Sequence, residues 1–302
     1  MKKRILVPPI KSQGIKTKLI PIIASLVPDT IEGRWIEPFM GTGGVGFNLA
    51  SRPAVMADAN PHLVNFYDAV SSREITATST RAFLATEGAK LLELGESHYY
   101  DIRQRFNETH QPLDFLFLNR SCFNGMIRFN KKGGFNVPFC RKPARFAQPY
   151  ITKISNQIRN ISDVITQGDF EFVNQDFTKT ILDAEKGDLI YCDPPYIDRH
   201  VDYFNGWAEK DELMLNEALA STKASFILST WSHNDYRSNT FLSSLWSEYP
   251  HITREHFYHV GANIENRRGM TEALIHSPDL SPSQPVDDII VDEGEEGSPL
   301  LF

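Results

Sequence analysis

Asp193-Pro194-Pro195-Tyr196 packs more chemistry into four residues than any other stretch of this 302-residue chain. It follows a short apolar run, Leu189 to Cys192, that reads as a buried strand. Two consecutive prolines cannot continue a ladder, so the chain leaves the sheet there. A carboxylate, a fixed turn and an aromatic ring then stand at the carboxyl end of a strand, where open α/β sheets bind ligands. Asp193 can accept a hydrogen bond from an N–H, and the Pro194 carbonyl can accept a second in a direction set by the proline ring. Tyr196 offers a flat face for stacking. Two acceptors on one NH2 group draw its lone pair out of ring conjugation, so the nitrogen becomes a nucleophile without a conventional base. That suits methyl transfer to the exocyclic amine of adenine. A rigid structural turn is the other reading of the same four residues.

A nucleophile of this kind needs an electrophile held nearby. Arg34 to Phe47 reads as strand, glycine-rich turn and helix start, with Gly41, Gly43, Gly44 and Gly46 allowing close approach of a ligand to backbone. The loop does not fit the dinucleotide fingerprint cleanly, and no Gly-Lys-Ser/Thr of a phosphate loop is present. A second short strand, Ala54 to Asn60, brings Asp58 about 17 residues after the glycines. An acid there can hold ribose hydroxyls or can cap the following helix. Together the loop and the acid point to an adenosine-type cofactor. Lys11 and Lys16 lie in a basic loop opening a helix with Leu19, Ile22, Ile23 and Leu26 on one face. Such lysines meet an anionic group or are simply solvated.

Charge is segregated along the chain. The net charge is −7, and the seven acids from Asp279 onward account for all of it, with no Lys or Arg among them. Residues 1–18 carry six Lys/Arg and no acid, and residues 119–145 carry seven and no acid. In the second block Phe123, Phe129, Phe135 and Phe139 interleave with the basic residues. That is a nucleic-acid footprint or a solvated basic loop. The Ser/Pro/acid-rich tail has a composition that predicts disorder. No run approaches the ~18 apolar residues of a membrane span. Three scattered cysteines make neither a disulfide framework nor a zinc site, and a reducing cytoplasm is the expected setting.

Strands alternating with helices predict an α/β fold with a doubly wound, mostly parallel sheet. Residues 61–110 read as helices, and Asn130 to Gly134 as the turn of a hairpin. Ile151, Ile154, Ile158 and Ile161 mark a helix, and Phe170 to Phe177 a third strand ending in an acid. A helix near Asp211 to Ala220, a strand at Ser225 to Thr230, a helix over about Tyr236 to Trp246 and a last segment at Glu272 to Ile275 complete the series.

Read in order, a lysine loop, Glu37-Pro38-Phe39-Met40-Gly41-Thr42-Gly43-Gly44, Asp58-Ala59-Asn60, a long insertion and Asp193-Pro194-Pro195-Tyr196 resemble the Dam-like, alpha-group DNA adenine methyltransferases. The stretch from Asn119-Arg120 through Phe123-Asn124-Gly125, Arg128-Phe129-Asn130 and Phe135-Asn136-Val137-Pro138 is similar to the long recognition hairpin of that family. The resemblance covers about residues 5–277 and leaves out the tail. It implies a Rossmann-like catalytic domain in two parts, 1–62 and 165–278. Between them it implies an inserted, mainly helical target-recognition domain at 63–164 bearing the β-hairpin, with the acidic tail at 279–302. It also implies S-adenosylmethionine as cofactor and catalysis by Asp193, Pro194 and Tyr196. The cofactor contacts it implies are Ser12, Lys16, Phe39, Gly41, Asp58, Asp176, Phe177 and Asp193. Its implied DNA contacts are Arg120, Phe123, Asn124, Met126, Arg128, Asn130, Lys131, Lys132, Asn136 and Pro138. The chain departs at Ser12 and Ile15, where the family has Trp and a second Gly.

The expected partner is double-stranded DNA, engaged by a monomer or weak dimer in the cytoplasm at the nucleoid, with no metal and no membrane. Adenine in GATC or a GAT-containing site is the expected target. Rival readings are methylation of RNA or of a protein amide, a catalytically idle DNA-binding partner in a restriction system, and a nicotinamide dehydrogenase. The DNA-type hairpin, the intact quartet and the unsuitable glycine loop, respectively, argue against them.

Overall fold

Seven strands carry the apolar runs: β1 (Trp35–Glu37), β2 (Ala54–Asp58), β3 (Phe170–Asn174), β4 (Leu189–Cys192), β5 (Ser225–Asn234), β6 (His251–Phe257) and β7 (Gly269–His276). The computed structural model describes residues 5–12, 14–50, 53–196, 207–234, 236–257 and 269–284. It assembles these strands into one sheet of order β3-β2-β1-β4-β5-β7-β6. The five strands from β3 to β5 are parallel, and β7 runs antiparallel between β5 and β6. Both faces are covered, and the two-residue period of a strand sorts its side chains between them. Trp35, Tyr191, Ile227 and Leu274 join one core cluster. Their neighbours Ile36, Ile190, Leu228 and Ile275 join the other.

Ten helices fill the connections among the described residues: α1 (Ile20–Leu26), α2 (Gly46–Leu49), α3 (Pro61–Ser71), α4 (Ala77–Leu94), α5 (Glu96–Thr109), α6 (Pro112–Ser121), α7 (Gln148–Gly168), α8 (Phe177–Leu182), α9 (Glu209–Ser221) and α10 (Thr240–Ser244). In α7 the buried residues Ile151, Ile154, Ile158, Ile161 and Ile165 follow the spacing of one helix face. Residues 61–168, which carry α3 to α7, have no core of their own. Phe66, Leu84, Tyr99, Phe117 and Ile158 share one continuous cluster with Trp35 and Met56 of the sheet.

Several expectations change. The third strand ends at Asn174, and Asp176 caps α8, its carboxylate accepting the Thr178 N–H at 2.9 Å. β6 is an additional edge strand. The helix expected over 236–246 shrinks to α10 because β5 runs on to Asn234. Asn239 then ties the chain back to that strand through the Trp231 carbonyl at 2.9 Å. The hairpin is a turn with two isolated bridges, Phe129–Phe135 and Cys122–Phe139, rather than a regular ladder. The first tail residues are packed, not disordered: Leu280 is buried, and the Ser283 N–H donates to the Ser25 carbonyl at 2.7 Å. Residues 285–302 of the tail, and residues 1–4 and Gln13 of the basic arm, lie outside the described residues.

Candidate active site

β1 and β4 are neighbours, yet the chain leaves β1 toward β2 and β3 on one side and places β5 on the other. The loops following these two strands therefore emerge at the point where strand order reverses, the place where an open α/β sheet opens a crevice. Phe39 to Gly44 leave β1, and Asp193 to Tyr196 leave β4. Lys16 reaches the same point from the N-terminal loop. Its ammonium lies 3.0 Å from Asp193 Oδ1, donates to the Gly14 carbonyl at 3.1 Å and sits 4.7 Å from the centre of the Tyr196 ring. Loss of water pushes the Asp193 carboxyl up to about 6; Lys16 opposes the shift and Glu272 adds to it. Tyr196 is buried against Trp231, and its hydroxyl donates to Glu272. Glu37 at the end of β1 accepts the Trp35 indole N–H at 3.1 Å, and burial pushes its carboxyl well above the ordinary range.

The glycine loop is held open from below. Gly41 has φ +52°, and a side chain there would meet nothing within 4 Å. Its N–H donates to Asp58 Oδ2 at 2.8 Å, while Asp58 Oδ1 accepts the Asn60 N–H at 2.8 Å. The Met40 N–H donates to the Ala57 carbonyl at 2.8 Å, and the Tyr67 hydroxyl donates to the Thr42 carbonyl at 2.5 Å. Gly46 lets the loop pack closely on β1 and β2: a Cβ there would lie 2.5 Å from the Met56 methyl and 2.9 Å from Glu37 Oε1, and those side chains would have to shift. Asp58 is not the cap of α3; Asn60 is, accepting the His62 N–H at 3.0 Å. Burial pushes the Asp58 carboxyl up to about 6 against its two backbone donors. Beside the loop, Phe39 stacks on Phe177 with centres 5.1 Å apart, and Trp207 meets Phe39 edge-on at 5.5 Å. Asp176 is exposed and engaged with Thr178, and Ser12 is half-buried four residues before Lys16.

A family model described as D12 class N6 adenine-specific DNA methyltransferase matches residues 12–260. The chain belongs to that family. Its relatives include a DNA adenine methylase of Vibrio cholerae, 33% identical over 195 residues, which are 62% of this chain and 64% of that one. A retron Ec67 DNA adenine methylase of Escherichia coli is 28% identical over 275 residues, 88% of this chain and 89% of that one. A type II methyltransferase of Methanocaldococcus jannaschii is 33% identical over 211 residues, 63% of this chain and 68% of that one. The chain thus spans slightly less than two thirds of the length of the Vibrio relative.

Against this D12 background, the residues named for DNA contact fall into two groups. Phe123, Asn124, Asn130, Lys131, Lys132 and Pro138 are exposed around the two-bridge turn, and Met126, Arg128 and Asn136 are half-buried on its flanks. Asn124 adopts φ +53° at the turn base, a conformation asparagine tolerates. Arg128 Nε donates to Asn136 Oδ1 at 2.8 Å, which fixes the plane of the guanidinium. Arg120 is not a surface contact. It is 2% exposed, with Nε on the Pro9 carbonyl at 2.5 Å and one terminal nitrogen on Gln157 Oε1 at 2.6 Å. Its role is to bolt the N-terminal segment to α6 and α7. Asn119, which the sequence left unassigned, does the same work: it accepts the Lys11 N–H at 2.8 Å and donates to the Lys11 carbonyl at 2.9 Å.

Sequence reasoning also passed over Glu272, Trp231, Trp207 and the burial of Glu37. Glu272 carried a usable signal: an acid inside the apolar run Glu272 to Ile275 of a strand with both faces covered. Among the described residues no cluster of three or more His, Cys, Asp or Glu is arranged to hold a metal ion. No helix there is long and apolar enough to cross a membrane.

Proposed function

We propose that the chain methylates the exocyclic amine of adenine in a short duplex DNA site, GATC or one containing GAT, using S-adenosylmethionine. The observation that carries this reading is the surroundings of the Lys16 ammonium. A carboxylate at 3.0 Å, a carbonyl at 3.1 Å and an aromatic face at 4.7 Å surround one positively charged nitrogen. An adenine amine turning into an ammonium has the same needs, and fixed acceptors in a half-buried site meet them without reorganisation. Asp193 and the Pro194 carbonyl would hold the amine and Tyr196 would stack on the base, for which Lys16 must yield the ring face it covers. The base must leave the duplex stack to arrive there. Lys131, Lys132, Arg141 and Lys142, all exposed, would meet phosphates, and Arg128 a base edge.

The residues fit an adenosine-type cofactor: an open space above Gly41, a shielded acid at Asp58 and the Phe39–Phe177 wall. When bound, S-adenosylmethionine supplies an electrophilic methyl group. Asp58 anchors the glycine loop, and Lys16 offers charge at its edge. The partner would be duplex DNA bound by a monomer or weak dimer in the cytoplasm, at the nucleoid. Residues 63–164 would act as the recognition domain and 1–62 with 165–278 as the catalytic one. The test is incorporation of labelled methyl into duplexes varied one base at a time, with RNA and protein acceptors alongside. Methylation of the adenine of GAT-containing duplexes is the expected outcome; incorporation only into RNA or protein would overturn it.

Two further results are expected. Asp58→Ala releases the Gly41 and Asn60 amides together, so it should weaken S-adenosylmethionine binding ~10-fold or more while changing DNA affinity little. Calorimetry showing unchanged cofactor affinity would confine Asp58 to local loop structure. The tail must be cut after residue 284, since a cut at 279 would remove the buried Leu280 and the Ser283 bond. Removing 285–302, with six of the seven tail acids, should leave turnover within about three-fold, the tail acting as a solubilising segment. A large gain in DNA affinity at low salt, lost at high salt, would mark the tail as a competitor for phosphate-binding residues.

A further inference from the structure

Glu272 is 1% exposed, and β7 places it in register between Trp231 of β5 and Arg254 of β6. A carboxyl group in that position is costly to bury unless it has a task or a partner. Its partner is the Tyr196 hydroxyl, 76 residues away in sequence. Trp231, its neighbour across the β5–β7 ladder, packs against the same tyrosine ring. The ring is therefore located by β5 and β7, although it is carried by the loop after β4. The described titratable groups coupled to Asp193 converge here: Lys16 from the N-terminal loop, Glu272 from β7, Glu37 from the end of β1, and the Tyr191 hydroxyl and Cys192 thiol of its own strand.

We propose that Glu272 is a positioning residue of the base pocket, fixing the Tyr196 ring by its hydroxyl and adding a second negative charge beside the Lys16–Asp193 pair. The inference rests on reading the site as an amine-methylating pocket. A ring fixed at both its face and its hydroxyl presents one stacking geometry to an incoming base, so no binding energy goes into ordering it. The second charge favours a cationic nitrogen at the site and holds the Asp193 carboxyl higher than burial and Lys16 alone would set it.

The test uses the full chain with Glu272→Ala, Glu272→Gln, Tyr196→Phe and the Ala/Phe pair. Glu272→Ala and Tyr196→Phe remove the two ends of one contact. Each should lower the single-turnover rate about ten-fold, and the pair should lose little more than the worse single variant. A duplex with 2-aminopurine at the target position, bound without cofactor, should fluoresce more brightly with Glu272→Ala, because the extrahelical base stacks less well. Glu272→Gln keeps an acceptor for the hydroxyl and should restore the wild-type fluorescence. It should still move the acid limb of the kcat/KM profile to lower pH, since Asp193 loses a negative neighbour. Should Glu272→Ala not fold, Glu272→Gln and Tyr196→Phe alone decide the matter. Additive losses in the pair, or an unmoved acid limb in Glu272→Gln, would overturn the inference while the wild type methylates DNA. A wild type that methylates no duplex would overturn the functional reading, and this inference with it.

Discussion

Asp193→Ala is expected to lower methyl transfer at least ~10²-fold, the scale of losing one preorganised polar contact to developing charge. The carboxylate is half-buried and lies 3.0 Å from the nearly buried Lys16 ammonium. Removing it would take away one of two acceptors for the amine and also a carboxylate from beside a buried cation, so the alanine variant needs a companion. Asp193→Asn keeps an acceptor oxygen and the shape while removing the charge, and it should fall between alanine and wild type. The acid side of the kcat/KM profile gives a second reading. With the carboxyl at about 6, protonation on lowering the pH through that value removes the charge that receives the amine, so the rate should fall there. Asp193→Asn should lose that limb. Single-turnover methylation by variants checked for folding decides the point: near wild-type turnover by Asp193→Ala would refute the role assigned to the carboxylate.

The positions of the central strands could be read from the sequence because they are short apolar runs ended by residues with one obvious meaning. Leu189 to Cys192 stops at two prolines, Trp35 to Glu37 stops at a proline followed by glycines, and Ala54 to Asp58 stops at an acid. β6 has no such signature, since His251, Thr253, Arg254 and Glu255 suit an edge strand that faces water and pairs on one side only. The grouping was legible where a local motif marks it, as with the lysine, the glycine loop and the quartet, which the fold brings to one crevice. It was not legible where function depends on a partner far along the chain. Arg120 sits in a basic block and was expected among the DNA contacts, but its partners Pro9 and Gln157 are 111 and 37 residues away. Glu272 reads as one polar residue in a strand until the fold brings Tyr196 to it. Asp58 shows a third case: both sequence readings, ribose ligand and helix cap, overlooked the glycine loop whose amide it holds.

On the proposed reading, specificity would rest on the two-bridge turn, and Arg128 is the residue that reading puts at a base edge. Its guanidinium is held by Asn136 twice, Nε to Oδ1 at 2.8 Å and one terminal nitrogen to the backbone carbonyl at 3.2 Å. That double hold orients the donor fork, and a fixed fork is what a bidentate contact with guanine O6 and N7 requires. The turn tip is separately rigid, with Asn130 Oδ1 accepting the Lys132 and Gly134 amides at 2.8 and 3.1 Å. Lys131 and Lys132 are exposed beside it, as phosphate contacts should be. If Arg128 reads the guanine preceding the target adenine, Arg128→Ala should relax discrimination at that base by ~1–3 kcal/mol. Substituting Lys131 or Lys132 by Ala should instead weaken every duplex alike and flatten the salt dependence of binding by about one unit of slope each. Methylation rates on duplexes changed one base at a time separate these roles. An Arg128→Ala enzyme that loses the same factor on every duplex would make this arginine a brace for the turn through Asn136 and remove it from base reading.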